Sequence, residues 1–369
     1  MTEDADRGMI WREEPVMGGY PEPAMLGLSG YGQLESFLSR GGPRPPIHYL
    51  TGMRPTAVTN DTVTFTMPAT EWLQAPPGWL YPGMLAILAD GPLGSAVQIA
   101  LPPMQIYTTA EMSLYYVRPT PVDGRDLTAR ARTVMVGKTL GLADCVIEDA
   151  DGRIIATAST RCFIFPPFGP PPEESPVLEE WEEPAYENPP YRRTVRGQVL
   201  SQEIWDGSSG LDILLGHAHG TLPRPPCHYL TGTRPTEGDA GTCTFVLPAT
   251  QWLNAPTGRP IGGATAMLAD SAIQGAIQTT IPAATSYAPL DLKVNFLRPV
   301  DADGRDLTAT AVVQHRGRTT AVATAEVSDA DGKKVAVATG SALILPDRPW
   351  NLKRPVDATQ EAAGDSPQP

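Results

Sequence analysis

The segment PRPPIHYLTGMRPT at residues 43–56 returns as PRPPCHYLTGTRPT at residues 223–236, with twelve of fourteen positions identical. The spacing of 180 then holds without a gap. Trp72 pairs with Trp252, LAD at 88–90 with LAD at 268–270, Arg118-Pro119 with Arg298-Pro299, and DGRDLTA at 123–129 with DGRDLTA at 303–309. Solenoid units run about 20–50 residues, so a repeat of this length is a whole domain. The expected molecule is a duplicated fold whose halves face each other like the subunits of a homodimer.

At 369 residues the chain supports two cores. A net charge of -13 argues against nucleic acid as a partner, which needs a clustered basic face. Much of the acidity is local: residues 167–190 hold seven Glu and eight Pro with no Lys or Arg. That composition predicts an extended, self-repelling linker. No run approaches the roughly 18 apolar residues needed to span a bilayer, and residues 1–6 lack the character of a secretory signal. Cys145, Cys162, Cys227 and Cys243 have no C-x-x-C spacing. They are expected to be buried free thiols in a reducing cytoplasm, with no metal.

The predicted division is an N-terminal arm (1–28), a first domain (29–166), the linker (167–190), a second domain (191–347) and a disordered tail (348–369). Each domain opens on an amphipathic helix, at 31–39 and 211–219. A hairpin follows, such as the alternating TVTFTM at 62–67. Next comes an apolar stretch rich in small residues, 263–278, too long for one strand and apolar on most sides, hence a buried helix. Strands are expected over 292–296, 307–313, 321–327 and 335–345, with a turn at Asp331-Gly332. The fold class is therefore α+β, a long antiparallel sheet wrapped around one central helix in each half.

Chemistry concentrates at the central helices. IGGATAMLADSA at 261–272 starts on two glycines, whose amides at a helix N-terminus can bind a carbonyl oxygen. Asp270 follows seven residues after Gly263, near the same face, and is expected to look into the same pocket. In the first half the segment reads YPGMLAILADGP at 81–92. Pro82 removes one amide, Gly83 keeps one, and Gly91-Pro92 should kink the helix beside Asp90. The second half is accordingly expected to carry the better catalytic helix, the first serving mainly as its partner.

IGGATAMLADSA, followed by LKVNFLRP at 292–299 and HRGRT at 315–319, resembles the hotdog-fold acyl-CoA thioesterases of the phenylacetic-acid-degradation type. The resemblance covers residues 210–346 well and 30–166 more weakly. It implies two tandem hotdog domains paired as an intrachain pseudo-dimer, open to further homo-oligomerisation. It also implies hydrolysis of acyl-CoA without metal or organic cofactor, CoA entering only as part of the substrate. The matching carboxylate, Asp270, would be general base or nucleophile, with Asp90 as its first-half equivalent; Gly263 and Gly262 would form the oxyanion hole. The His that the family often has before the glycines is absent: Ile261 and Pro82 occupy the neighbouring positions.

Asn254 resembles a family polar residue upstream of the glycines, and Gln74 is its counterpart. Thr108 and Thr109 are weaker candidates. Arg316, Arg318 and Lys138 suit the phosphates of CoA. His48 and His228 read as structural, and Trp72, Trp252 and Trp79 as core or acyl-channel residues. The competing reading is a non-catalytic acyl-CoA binding hotdog protein. A hotdog dehydratase is disfavoured because neither central helix contains His.

Overall fold

The computed structural model describes residues 8–15, 18–178, 181, 186–346 and 348–352. The first half contains α1 (Gly30–Arg40), α2 (Pro46–Thr51), β1 (Arg54–Val58), β2 (Thr62–Pro68), α3 (Met84–Gln98), β3 (Tyr107–Tyr116), β4 (Asp126–Val136), β5 (Leu140–Glu148) and β6 (Ile154–Ile164). The second begins with α4 (Gln202–Gly207) and repeats the order: α5 (Gly210–His219), α6 (Pro226–Thr231), β7 (Arg234–Asp239), β8 (Thr242–Pro248), α7 (Gly262–Gln278), β9 (Ser286–Phe296), β10 (Asp306–Arg316), β11 (Thr320–Ser328) and β12 (Lys334–Leu345).

All twelve strands form one sheet, ordered β1-β2-β4-β5-β6-β3-β9-β12-β11-β10-β8-β7. Its second six strands are the first six reversed, as a two-fold axis through the middle demands. The antiparallel register at that seam sets Ser113 opposite Lys293, its own counterpart 180 residues on, so the axis passes between them. The tandem hotdog architecture is therefore one continuous sheet carrying two buried helices, α3 and α7, which also pack on each other. Alternation does the sorting: in β8 the side chains of Cys243, Phe245 and Leu247 are buried under α7, while Thr242 and Thr244 are only partly covered. Gly332 adopts φ 76° between β11 and β12, the left-handed turn that glycine permits.

α3 runs through Gly91 and Pro92 as one continuous helix. Pro92 only removes the amide that would have bonded to the Leu88 carbonyl. The near-identical repeat segments contain the short helices α2 and α6. Each starts with Pro at its first turn, where the missing N–H is harmless, and ends on a left-handed glycine, Gly52 or Gly232. They face the opposite half: the Ile47 amide donates to the Asn254 carbonyl at 3.3 Å, and the Cys227 amide to the Gln74 carbonyl at 3.3 Å. Near-identity of these segments follows from a shared task at a two-fold interface.

The arm extends that symmetry. Residues 10–12 and 190–192 both form 3-10 turns, again 180 apart. They are exchanged: the first turn packs on α6 of the second half and the second on α2 of the first. Trp252 Nε1 donates to the Glu13 carbonyl at 2.7 Å, and Trp72 Nε1 to the Arg193 carbonyl at 3.0 Å. Both indoles are essentially fully buried, so they anchor the exchanged segments rather than line a channel. Glu13 and Arg193, themselves counterparts, form an ion pair at 2.5 Å. Of the predicted linker, residues 179, 180 and 182–185 lie outside the described residues; the described part before Pro190 contains no helix or strand. Of the predicted tail, residues 353–369 lie outside them, while Trp350 packs on Trp205 and Tyr287. The four cysteines are buried and unpaired. No helix among the described residues is long and apolar enough to cross a membrane.

Candidate active site

Two glycines bring the central helices into backbone contact. A Cβ on Gly263 would lie 2.5 Å from the Ala86 carbonyl oxygen and 2.6 Å from Ile87 Cα, and one on Gly83 would lie 3.0 Å from Met267 Cα. The N-terminal turns of the two helices thereby rest against each other, and Asp90 and Asp270 follow about one turn beyond Ile87 and Met267.

At the first junction the Gly263 amide donates to Asp90 Oδ2 at 2.9 Å. The Gly262 amide and the Thr109 hydroxyl also stabilise the charge on Asp90. These amides are first-turn donors with no partner inside α7, at the positive end of its dipole. Burial opposes ionisation more strongly than they favour it, and pushes the Asp90 carboxyl up to about 6.

The second junction differs. Asp270 is 1% exposed, and burial pushes its carboxyl up to about 7. Tyr116 and Gln274 act on it, yet neither carboxylate oxygen closes a hydrogen bond of normal geometry. The Tyr116 hydroxyl and both polar atoms of Gln274 are likewise buried without a partner. Beside them the Tyr81 phenol hydrogen-bonds Ser271 Oγ, which donates to the Met267 carbonyl at 2.6 Å. Pro82 has no amide to offer, leaving Gly83 to match Gly263.

Asp270 therefore does not share a pocket with Gly262 and Gly263, as the spacing along one helix suggested. First-turn N–H groups point out of the N-terminus along the axis, while Asp270 lies about 10 Å further down that axis. Asp90 from the other half reaches the amides instead. The first half thus places a carboxylate at the N-terminus of α7.

Crowding at Gly263 gives a direct test. Gly263→Ala is expected to destabilise the protein by about 1–3 kcal/mol, because its Cβ meets backbone that cannot yield. Gly262→Ala should cost far less, since its Cβ meets Asp90 Oδ2 at 3.2 Å and the Phe296 ring at 3.5 Å, both movable. Urea unfolding of the two variants checks this; equal stabilities would contradict the helix contact.

Residues 261–336, which contain the amide pair and Asp270, match the Thioesterase superfamily. Residues 35–164, which contain Asp90, match the acyl-CoA thioesterase C-terminal domain. The chain belongs to the hotdog-fold thioesterase superfamily.

Two solved structures at a TM-score of 0.50 share the fold, and a third is also similar. A candidate thioesterase from Novosphingobium aromaticivorans is 16% identical, with a TM-score of 0.50 over 78% of this chain and 97% of its own. A conserved hotdog-fold protein from Alicyclobacillus acidocaldarius is 13% identical, with a TM-score of 0.50 over 81% of this chain and 97% of its own. An acyl-CoA thioesterase II from Mycobacterium marinum is 13% identical, with a TM-score of 0.48 over 83% of this chain and 99% of its own. No curated protein matches the hotdog thioesterase in sequence.

The remaining sequence candidates in this thioesterase have other partners. Asn254 Nδ2 donates to the Tyr20 hydroxyl at 2.9 Å, and Gln74 Nε2 to the Gly78 carbonyl at 3.3 Å. Both amides belong to the loops that lead into α7 and α3. Arg316 donates to Thr280 Oγ1 at 3.2 Å, ten residues and about 15 Å beyond Asp270 along the axis of α7. Arg318 and Lys138 occupy the adjoining hairpin turn and its first-half equivalent, so these three cations are not gathered at either carboxylate. His48 and His228 are buried in α2 and α6, and burial pushes His48 down to about 3. Tyr116, Gln274, Tyr81 and Ser271 escaped the sequence reading. Gln274 was recoverable, because it lies one helical turn after Asp270 and so on the same face.

Proposed function

We propose that this thioesterase hydrolyses acyl-CoA to the free acid and CoA at composite sites between its halves. The reading rests above all on the Asp90 carboxylate held at 2.9 Å from the Gly263 amide of the opposite helix. Thioester hydrolysis needs donors where negative charge develops on the carbonyl oxygen, and a base or nucleophile beside them. Gly262 and Gly263 supply the donors. The thioester oxygen takes the amide that Asp90 holds at rest, which frees the carboxylate to remove a proton from water or to attack the acyl carbon itself. Burial that raises Asp90 to about 6 brings its basicity closer to neutral pH. Thr109 orients it.

A second reading puts hydrolysis at Asp270, favoured by the unbonded carboxylate, Tyr116 and Gln274 gathered there. Gly83 would then be the only amide for the oxyanion, so the electrostatic help is smaller.

A panel of acyl-CoAs from acetyl to palmitoyl, with benzoyl and phenylacetyl, is expected to include members from which the enzyme releases free CoA thiol. Calorimetric binding of those thioesters without any thiol release would instead identify a non-catalytic acyl-CoA binding protein.

A further inference from the structure

The two halves present unlike outer faces, although the sheet beneath them is ordered two-fold symmetrically. Ile106, Val134, Met135, Leu140, Phe163 and Phe165 are each 39–50% exposed. They are neighbours at one end of β4, β5, β6 and β3. Leu140 lies opposite Phe163 and Met135 opposite Leu142, and the Phe163 and Phe165 rings meet edge to face at 5.1 Å. The Phe165 amide donates to the Ile106 carbonyl at 3.0 Å. Alternation turns the set away from α3, since the intervening Gly141, Cys162 and Ile164 are buried. The residues 180 positions after Val134, Met135 and Leu140 are Gln314, His315 and Thr320. Among the described residues, β10, β11 and β12 expose a single large apolar side chain, Val312. The second half thus folds on the same plan without the patch, so packing within the chain does not account for it. Six large side chains in one cluster expose apolar surface on the order of several hundred Å², the size that marks an interaction site.

We propose that a second copy of the chain docks on this face of the first half, sheet against sheet, giving a closed dimer of four hotdog domains. The ends of the chain outside the described residues are too polar to cover it: residues 1–7 and 353–369 hold only Met1 and Val356 as large apolar side chains. A net charge of -13 is repelled by the anionic surface of a membrane leaflet. The rim suits a copy, because Arg132 lies opposite Asp144 on the same outer face and offers both signs of charge. Sheets pack face to face through flat apolar surfaces, and a two-fold axis sets the patch on itself, so both copies bury it at once. With its polar rim the contact approaches the roughly 800 Å² per partner of a stable interface. Patches on both halves would let chains add without limit; one face per chain closes the assembly at two.

Sedimentation equilibrium of the full chain over a range of concentrations tests the proposal, with no dependence on thioester hydrolysis. A mass twice the 39.4 kDa of one chain is expected. Phe163→Glu sets two carboxylates against each other near the axis and should weaken the dimer by about two orders of magnitude. Leu140→Thr, which copies the second half at that place, should weaken it by about tenfold. Val312→Glu, on the outer face of the second half, should leave it intact. All three positions are exposed, and circular dichroism checks that each variant is folded. A wild type that stays a monomer overturns the proposal, as does a dimer that Phe163→Glu and Leu140→Thr leave unchanged. Binding of a monomeric wild type to phosphatidylcholine vesicles would give the face to a membrane and equally overturn it.

Discussion

Asp90→Asn is expected to lower kcat/KM for acyl-CoA by about 10²–10⁴, the range that a positioned general base contributes. Asn keeps the shape of the side chain and can still accept from the Gly263 amide, so the helix junction and the oxyanion donors should survive. What disappears is the ability to take a proton or to form an acyl bond. KM should change little, because the substrate's remote contacts are untouched. Asp270→Asn is expected to stay within about threefold of wild type, since Pro82 denies its junction the amide pair. If Asp90→Asn turned over like wild type while Asp270→Asn failed, hydrolysis would belong to the second junction. The wild-type pH profile carries the same logic. Asp90 acts only when ionised, so kcat/KM should climb as pH rises through about 6 and then level off.

The two-fold organisation of this enzyme was legible because recent or constrained duplication leaves identical strings, and PRPP-HYLTG could hardly recur by chance. The sheet was equally legible: the β9 to β12 hairpins alternate clearly, and Asp331-Gly332 marks their last turn. The site was not, for a physical reason. Sequence spacing measures distance along one helix, and the pairing of Asp90 with the Gly263 amide runs between two. Whether Asp90 or Asp270 meets the Gly263 amide depends on how closely α3 and α7 cross, which is set by Gly83 against Met267 and Gly263 against Ala86 and Ile87. Those contacts have no signature in either helix alone. The exchanged turns were hidden for a different reason. Met9-Ile-Trp-Arg12 and Pro189-Pro-Tyr-Arg192 share one identity, and the residue that follows each, Glu13 or Arg193, offers a backbone carbonyl to a Trp, which any residue can supply.

Asp270 has a larger expected effect on stability than on turnover. Its carboxyl sits near the ordinary value of 3.8 in the unfolded chain and at about 7 when buried. Between these values the folded state binds the extra proton, so stability is fully present below about pH 4 and is lost as pH rises through about 7. Moving the carboxyl from 3.8 to about 7 corresponds to about 4 kcal/mol. Asp90 works in the same direction over the narrower span up to about 6. Asp270→Asn removes the ionisation while leaving a polar amide for Tyr116 and Gln274, so its stability relative to wild type should grow from pH 5 to about pH 7 and level off by pH 8. Urea unfolding at the two pH values measures this, with the other titrating groups common to both proteins. A difference between variant and wild type that does not change with pH would mean that the Asp270 carboxylate is better solvated or better bonded than its burial implies. A positive result would show that the fold bears a buried acid at a cost. Selection for an uncharged residue would have removed that cost, so the acid would then need a task at the Gln274 and Tyr116 cluster, even if Asp90 carries the hydrolysis.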